Sequence, residues 1–337
     1  MYSSQDFKSD QEVRWCPGCG DHAILATVQR VLPEVSEATG QPKENFVFIS
    51  GIGCSSRLPY YMSVYGMHTI HGRATAIATG VRVANPKLSV WQVTGDGDAL
   101  AIGGNHFIHA IRRNIDLNIL LFNNEIYGLT KGQYSPTSKL GLVTKTSPYG
   151  TVERPFNPGE LVIGATGTFF ARAIDVDLKL SAECMKAAAL HAGCAVVELL
   201  QNCVIFNDGT HSAFTAKELR DDKTITLRHG EPMIFGRDRD KGIVLDGLRL
   251  KAVRVGEGGV AEKDLLVHNA HEDDRAVHML LAAMRGPELP LALGVIRAVK
   301  EPTYNQRVVE QVEQVMSRRT ITCMDELLHS GETWQVA

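Results

Sequence analysis

Along the first two-thirds of the chain, apolar positions come in short unbroken runs separated by polar turns. Residues 88–94 and 117–122 are two such runs, rich in Val, Ile, Leu and aromatic side chains. Runs this short and this continuous predict strands buried on both faces, and residues 99–114 between them carry the spacing of a helix. The three together make a βαβ unit. Residues 45–50, 168–174 and 194–200 predict further strands of the same sheet, with an Ala-rich helix over 181–192. Strands alternating with helices predict a doubly wound, mainly parallel α/β sheet. Residues 132–160 contain Pro136, Pro148, Pro155 and Pro158 among Ser, Thr and Gly, which predicts a long loop of the functional or interfacial kind. From residue 212 the character changes. Charged turns such as 236–242 break short strand-like runs, and 274–284 reads as helix, so a C-terminal extension over 212–337 is expected to pack on the sheet domain of 1–211 or on a partner.

Composition narrows the classes. With 44% hydrophobic and 22% charged residues and a formal net charge of -3, the 337 residues read as a soluble globular protein able to bury a substantial core. There are 35 basic against 38 acidic residues and no long basic run, so nucleic acid is not an expected partner. The N-terminal stretch lacks the apolar core of a secretory signal, and no run approaches the length that spans a bilayer; no membrane association and a cytoplasmic location are expected. Seven cysteines in such a chain favour metal or redox use over a disulfide framework.

Two polar clusters follow the first two strands. Gly95-Asp96-Gly97-Asp98 ends one and Asn123-Asn124 ends the next. In a βαβ unit the crevice outside the carboxyl ends of the strands is where ligands sit, and a helix start there offers unpaired N–H groups to phosphate. The Asp96 carboxylate and the Asn124 carbonyl are hard oxygen ligands for a small divalent cation, so the expected ligand is a magnesium-bound pyrophosphate. A plain Gly-rich turn beside an Asn-rich one is the bland alternative.

The cysteines converge on the same edge. Cys16-Pro17-Gly18-Cys19 is a tight turn that aims two sulfurs at one metal. Cys54, in the loop after strand 45–50, and Cys203, just past strand 194–200, are candidates to complete the set. Four such thiolates suit either zinc or a [4Fe-4S] cluster. Cys184, Cys194 and Cys323 read as buried structural thiols. His106 and His109 have metal-binding spacing on the helix after 98, but packing is the better reading. Gly256 to Ala261 fits GxGxxA, with a following segment too short and polar for a dinucleotide-binding helix. Arg57 and Lys131 follow the cysteine loop and Gly128-Leu129-Thr130, where either could pair with a substrate carboxylate or simply be a solvated cation.

Gly-Asp-Gly, 25 residues and then Asn-Asn resembles the thiamine-diphosphate motif of thiamine-dependent enzymes. Together with Trp15-Cys-Pro-Gly-Cys-Gly20, Gly51-Ile-Gly-Cys-Ser-Ser56, His71-Gly-Arg-Ala74, Asn123-Asn-Glu-Ile-Tyr-Gly-Leu-Thr130 and Asn207-Asp-Gly-Thr-His211, it resembles the beta subunit of 2-oxoacid:ferredoxin oxidoreductases over roughly the first 215 residues. The resemblance implies that Cys16, Cys19, Cys54 and Cys203 ligate one [4Fe-4S] cluster. It implies magnesium on the side chains of Asp96 and Asn124 and the backbone carbonyl of Ile126. Ile52, Gly53, Cys54, Ser55, His71, Gly95, Gly97, Asp98, Asn124, Gly128, Leu129 and Thr130 would line thiamine diphosphate, making 1–211 its pyrophosphate-binding domain.

The implied reaction is oxidative decarboxylation of a 2-oxoacid with coenzyme A to an acyl-CoA, electrons leaving through the cluster to ferredoxin. 2-Oxoglutarate is the favoured substrate, giving succinyl-CoA, and pyruvate and branched 2-oxoacids are the alternatives. A non-oxidative thiamine-dependent decarboxylase subunit, or a zinc-stabilised structural subunit, are readings of a different class. An alpha subunit, alone or fused as gamma-alpha, is expected to supply the glutamate that activates the cofactor and the coenzyme A site, in a dimer of alpha-beta heterodimers. Glu125 and Glu153 are the local candidates for that glutamate.

Overall fold

The computed structural model describes residues 2–258 and 260–336. Eleven strands occur in chain order: β1 (Phe46–Ser50), β2 (Tyr65–His68), β3 (Ser89–Gly95), β4 (Leu117–Asn123), β5 (Phe169–Ile174), β6 (Cys194–Leu200), β7 (Thr224–Leu227), β8 (Ile234–Phe235), β9 (Lys241–Asp246), β10 (Arg249–Arg254) and β11 (Leu291–Ala298). Eight of them form one sheet in the order β2-β1-β3-β4-β6-β5-β11-β7, parallel from β2 through β5. This is the doubly wound α/β sheet; β1, β3, β4, β5 and β6 fall within a residue or two of the expected runs, whereas none of those runs covers β2, β7 or β11.

Helices flanking the sheet include α1 (Asp21–Thr39), α2 (Ala74–Ala84), α3 (Gly104–Arg112), α4 (Pro158–Gly164) and α5 (Leu178–Leu190), and the helix Ala276–Ala283 packs against β11. Because side chains alternate along a strand, each run feeds two cores. Phe46, Phe48, Leu120 and Phe122 point to the face covered by α1 and α5, where Phe48 stacks on Trp91 at 5.7 Å. Val47, Ile49, Ile119 and Leu121 point to the face covered by α2 and α3. Fully burying each such side chain contributes about 1.5–3 kcal/mol. Cys184 and Cys194 lie one in each core as packed thiols, whereas Cys323 is exposed instead of buried.

Two expectations need correction. The helix drawn over 99–114 starts as a wider π turn, Asp98–Ile102, before α3 begins. The cause is crowding: Gly72 lies against Gly103 so closely that a Cβ on it would stand 2.6 Å from the Gly103 nitrogen. The boundary at 211 falls inside the sheet. β7 and β11 come from beyond it and extend the sheet past β5, β11 running antiparallel to β5 and parallel to β7. The three-stranded antiparallel β10-β9-β8 unit, by contrast, lies outside the main sheet.

Within the sheet the order β2-β1-β3-β4 places a switch point between β1 and β3, where successive connections depart in opposite directions. Crevices at the carboxyl ends of strands open at such points.

Candidate functional site

The loop after β1 and the loop after β3 meet at this crevice through one side chain. Asp98 is buried, and its Oδ1 accepts from the backbone N–H of Ile52 at 3.1 Å, from the N–H of Gly72 at 2.7 Å and from His71 Nδ1 at 2.7 Å; its Oδ2 accepts from Thr94 Oγ1 at 2.7 Å. Gly51 is glycine for that reason, since a Cβ there would overlap the Asp98 carboxylate. Asp98 is therefore a clamp between three segments. Its bond to Nδ1 orients the His71 ring.

Asp96 is buried as well. Ser135 Oγ donates to its Oδ2 at 2.5 Å and the Thr137 hydroxyl shares that oxygen, while Oδ1 meets no side-chain donor among the described residues. Burial pushes its carboxyl up to about 6, against the pull of those two hydroxyls. A divalent cation on the second oxygen would offset that desolvation. Asn124 donates from Nδ2 to Gln201 Oε1 at 2.9 Å, which fixes the amide with its oxygen on the other side, where it accepts from the Ile126 N–H at 3.2 Å. These oxygens fit the hard donor set that magnesium requires.

Ser135, Thr137 and Ser138 were not legible beforehand. They belong to the long loop expected over 132–160 and pin it to the site, Ser138 donating to the Glu125 carbonyl at 2.6 Å. Asn123 is the hub beneath: its Nδ2 donates to Glu198 at 2.8 Å, and its carbonyl faces His211 Nε2 at 2.9 Å. Glu198 pairs with Arg172 at 2.6 Å, directly across from it on β5. Burial alone would raise the Glu198 carboxyl, yet Arg172 and its hydrogen bonds hold it below the ordinary range.

These groups bound a cavity of about 550 Å³. Its wall contains Ile52, Gly53, Cys54, Ser55, His71, Gly95, Asp96, Gly97, Asp98, Asn124, Ile126, Gly128, Leu129 and Thr130, together with Tyr127 and Gln133, which the motifs did not single out. Gly97 makes room for Tyr127: a Cβ would penetrate that ring, whose hydroxyl donates to the Gly97 carbonyl at 2.9 Å. A larger cavity, about 840 Å³ between α5 and β11, is mostly apolar and holds none of the motif residues.

The cysteines approach the same cavity from behind. Cys16 to Cys19 form a turn closed by the Cys19 N–H on the Cys16 carbonyl at 3.1 Å, with Gly18 at φ +80° as a type II turn needs. Trp15 Nε1 donates to the Cys54 carbonyl at 2.7 Å, and the Gly20 N–H donates to the Asn202 carbonyl at 3.3 Å, tying this turn to both other cysteine loops. Cys54 and Cys203 meet over Gly128, whose added Cβ would stand 3.6 and 3.5 Å from their sulfurs. All four are free thiols. Burial, reinforced by Asp21, pushes Cys54 up to about 12 and raises Cys19 further.

A thiolate in that setting needs the positive charge of a metal. Among the described residues no three Cys, His, Asp or Glu side chains stand close enough to hold a single ion. Four cysteines from three loops supply the one thiolate per iron that a cubane takes, and four thiolates suit zinc as well.

The remaining candidates are placed less centrally. Arg57 lines a separate cavity of about 430 Å³ with Arg14 and His68, sharing the wall Ile52, Gly53 and Leu129 with the first. Lys131 is exposed, at φ +77°, and lines neither. Glu125 is buried at φ +56° and spent on Arg285 at 2.6 Å and Thr210 at 2.8 Å; Glu153 is exposed and accepts from Tyr134 at 3.0 Å. His106 and His109 are half-buried on α3. Gly259 of the GxGxxA match lies outside the described residues.

A family profile described as thiamine pyrophosphate enzyme, C-terminal TPP binding domain, matches residues 51–199. The chain is 51% identical to 2-oxoglutarate oxidoreductase subunit KorB of Mycobacterium tuberculosis, over 98% of this chain and 88% of the relative. It is 46% identical to 2-oxoglutarate synthase subunit KorB of Archaeoglobus fulgidus over 56% of this chain and 69% of that one. Its fold is similar to a solved 2-oxoglutarate:ferredoxin oxidoreductase from Magnetococcus marinus with 2-oxoglutarate, coenzyme A and succinyl-CoA bound, with a TM-score of 0.76 and 31% identity over 98% of this chain and 97% of the other.

Proposed function

The chain belongs to the family of 2-oxoacid:ferredoxin oxidoreductase beta subunits, and from that premise we propose that it is the cofactor-carrying subunit of a 2-oxoglutarate:ferredoxin oxidoreductase. The complex would convert 2-oxoglutarate and coenzyme A to succinyl-CoA and carbon dioxide, with two electrons leaving one at a time through a [4Fe-4S] cluster to ferredoxin. When bound, thiamine diphosphate supplies the carbon nucleophile for decarboxylation and the cluster accepts single electrons. The observation that carries the reading is Cys54, which lines the 550 Å³ cavity and, with Cys203, flanks Gly128.

This chain's residues do the holding. Asp96, Asn124 and the Ile126 carbonyl would bind magnesium, and the Ile52 to Ser55 turn, His71 and the Gly95 to Asp98 loop would seat the diphosphate. Cys16, Cys19, Cys54 and Cys203 would hold the cluster. Arg57, on the second cavity with His68 and an Arg14 already paired with Glu12 at 2.9 Å, supports a dicarboxylate, since a second negative charge taken out of water is costly unless a cation meets it. Lys131, exposed and lining neither cavity, is left as a solvated cation.

An alpha subunit is the expected partner. Neither Glu125 nor Glu153 lines the cavity, which speaks for an activating glutamate from outside this chain. Exposed apolar side chains ring the mouth: Ile70, Leu129, Tyr60 and Phe206, with the outward strand β2 carrying Tyr65 and Met67. A surface of that kind suits a subunit contact. No described helix is long and apolar enough to cross a membrane.

The test is analysis of the anaerobically purified complex for iron, sulfide, zinc and thiamine diphosphate, with 2-oxoglutarate-dependent reduction of ferredoxin. Four irons and one thiamine diphosphate per chain are expected. A colourless, iron-free complex containing thiamine diphosphate would favour the non-oxidative decarboxylase, and stoichiometric zinc without thiamine diphosphate would favour the structural subunit.

A further inference from the structure

Gln201 sits just past β6, two residues before Cys203, with its side chain buried between the two proposed cofactor sites. Its amide is fully engaged. Oε1 accepts from Asn124 Nδ2 at 2.9 Å, and Nε2 donates to the Asn202 carbonyl at 2.5 Å and to Cys19 Sγ at 3.3 Å. The direction of this chain of bonds is not arbitrary. The Asn202 carbonyl can only accept, and it already accepts from the Gly20 N–H. Nε2 must therefore face it, Oε1 must face Asn124, and Asn124 must offer its nitrogen to Gln201. This buried amide, together with the Ile126 N–H, thus fixes that the other side of Asn124 is an oxygen, which is the atom a magnesium ion needs, while presenting an N–H to the sulfur of Cys19.

We propose that Gln201 is a positioning residue shared by both centres: it orients Asn124 for the metal-diphosphate and sets the reduction potential of the cluster through its N–H contact to Cys19. The inference rests on the function proposed above. A hydrogen bond to a ligating sulfur favours the reduced state, which carries more negative charge, so its loss moves the potential to more negative values. A tenfold change in that equilibrium is about 59 mV for one electron. The Asn124 half acts separately, because without Gln201 the Asn124 amide is held only by the Ile126 N–H and its nitrogen is left without an acceptor.

Two variants of the whole complex separate the halves. Gln201→Met removes every hydrogen bond at similar volume; Gln201→Glu keeps an acceptor for Asn124 and replaces the donor beside Cys19 with an oxygen. The readouts are the midpoint potential of the cluster, from a potentiometric titration followed by electron paramagnetic resonance, and the affinity for magnesium and thiamine diphosphate, from calorimetry on cofactor-stripped complex.

Gln201→Met should lower the potential and weaken cofactor binding about tenfold or more, the scale of a lost hydrogen bond to a charged centre. Gln201→Glu should lower the potential at least as far while keeping cofactor affinity within a few-fold of wild type. A wild-type potential in either variant, or parallel loss of affinity in both, overturns the proposal. Should Gln201→Met fail to assemble, Gln201→Leu takes its place, because the carboxylate of Gln201→Glu adds negative charge beside the cluster and its lowered potential does not by itself isolate the lost N–H. A wild-type complex that contains no iron or no thiamine diphosphate would instead remove the function on which the inference rests.

Discussion

At the ends of β3 and β4 the polar groups already have protein partners. Asp98 accepts four hydrogen bonds, one Asp96 oxygen takes two hydroxyls, and Asn123 and Asn124 are held by Glu198 and Gln201. Behind the same cavity the four thiols are free, and burial pushes the Cys19 and Cys54 thiols up. The diphosphate wall is shaped by the chain's own hydrogen bonds and is ready before any ligand arrives; the thiol wall is a set of ligands whose charge only a metal can stabilise. Loss of magnesium should therefore leave the fold of its site intact, and loss of iron should loosen the loops carrying the cysteines.

The sharpest break in the comparison is at the thiols. Cys203→Ser should lose the cluster or convert it to a form with fewer irons, while Cys184→Ser, on the buried face of α5, should keep a full complement; equal iron and sulfide in the two variants would remove Cys203 from the set. On the other wall, Asp96→Ala should abolish magnesium-dependent binding of thiamine diphosphate with cluster iron unchanged. Calorimetry that still finds wild-type affinity would take Asp96 out of the site.

The framework behind the diphosphate wall predicts a smaller but general effect. Arg172→Met leaves Glu198 buried and unpaired, which should cost about 3–5 kcal/mol of stability, seen as a lower midpoint in denaturant. An unchanged midpoint would mean that Asn123 is not held from beneath. The finest distinction concerns the annex. Arg57→Ala should reduce kcat/KM for 2-oxoglutarate by roughly ten- to a hundredfold, the scale of a hydrogen bond to a charged group, and pyruvate far less, whereas Lys131→Ala should change neither. Equal effects on both substrates in Arg57→Ala would assign that residue to the carboxylate that all 2-oxoacids share.

The sequence by itself determined the sheet and the motif loops, because a strand buried on both faces must be an apolar run and a loop that approaches phosphate or metal must spend glycine, Asp, Asn or Cys at fixed offsets. Those signals are local, and β1, β3, β4, β5 and β6 are legible from them. What joins segments far apart was decided only by tertiary structure. The pairing of Arg172 with Glu198 depends on strand register, and the hydroxyls of Ser135 and Thr137 reach Asp96 from a loop whose composition says only that it is a loop. Residues beyond 211 read as an extension, because charged turns separate their short strand-like runs and β7 has only four residues; β11, at eight residues the longest strand of the main sheet, carries no local sign of the sheet it joins, and only the edge left open at β5 decides it. Gln201 is the clearest case. An isolated glutamine carries no pattern, and its partners, Asn124 and Cys19, lie 77 and 182 positions away. Its role exists only where the folded chain brings a metal ligand and a thiol to opposite ends of one amide.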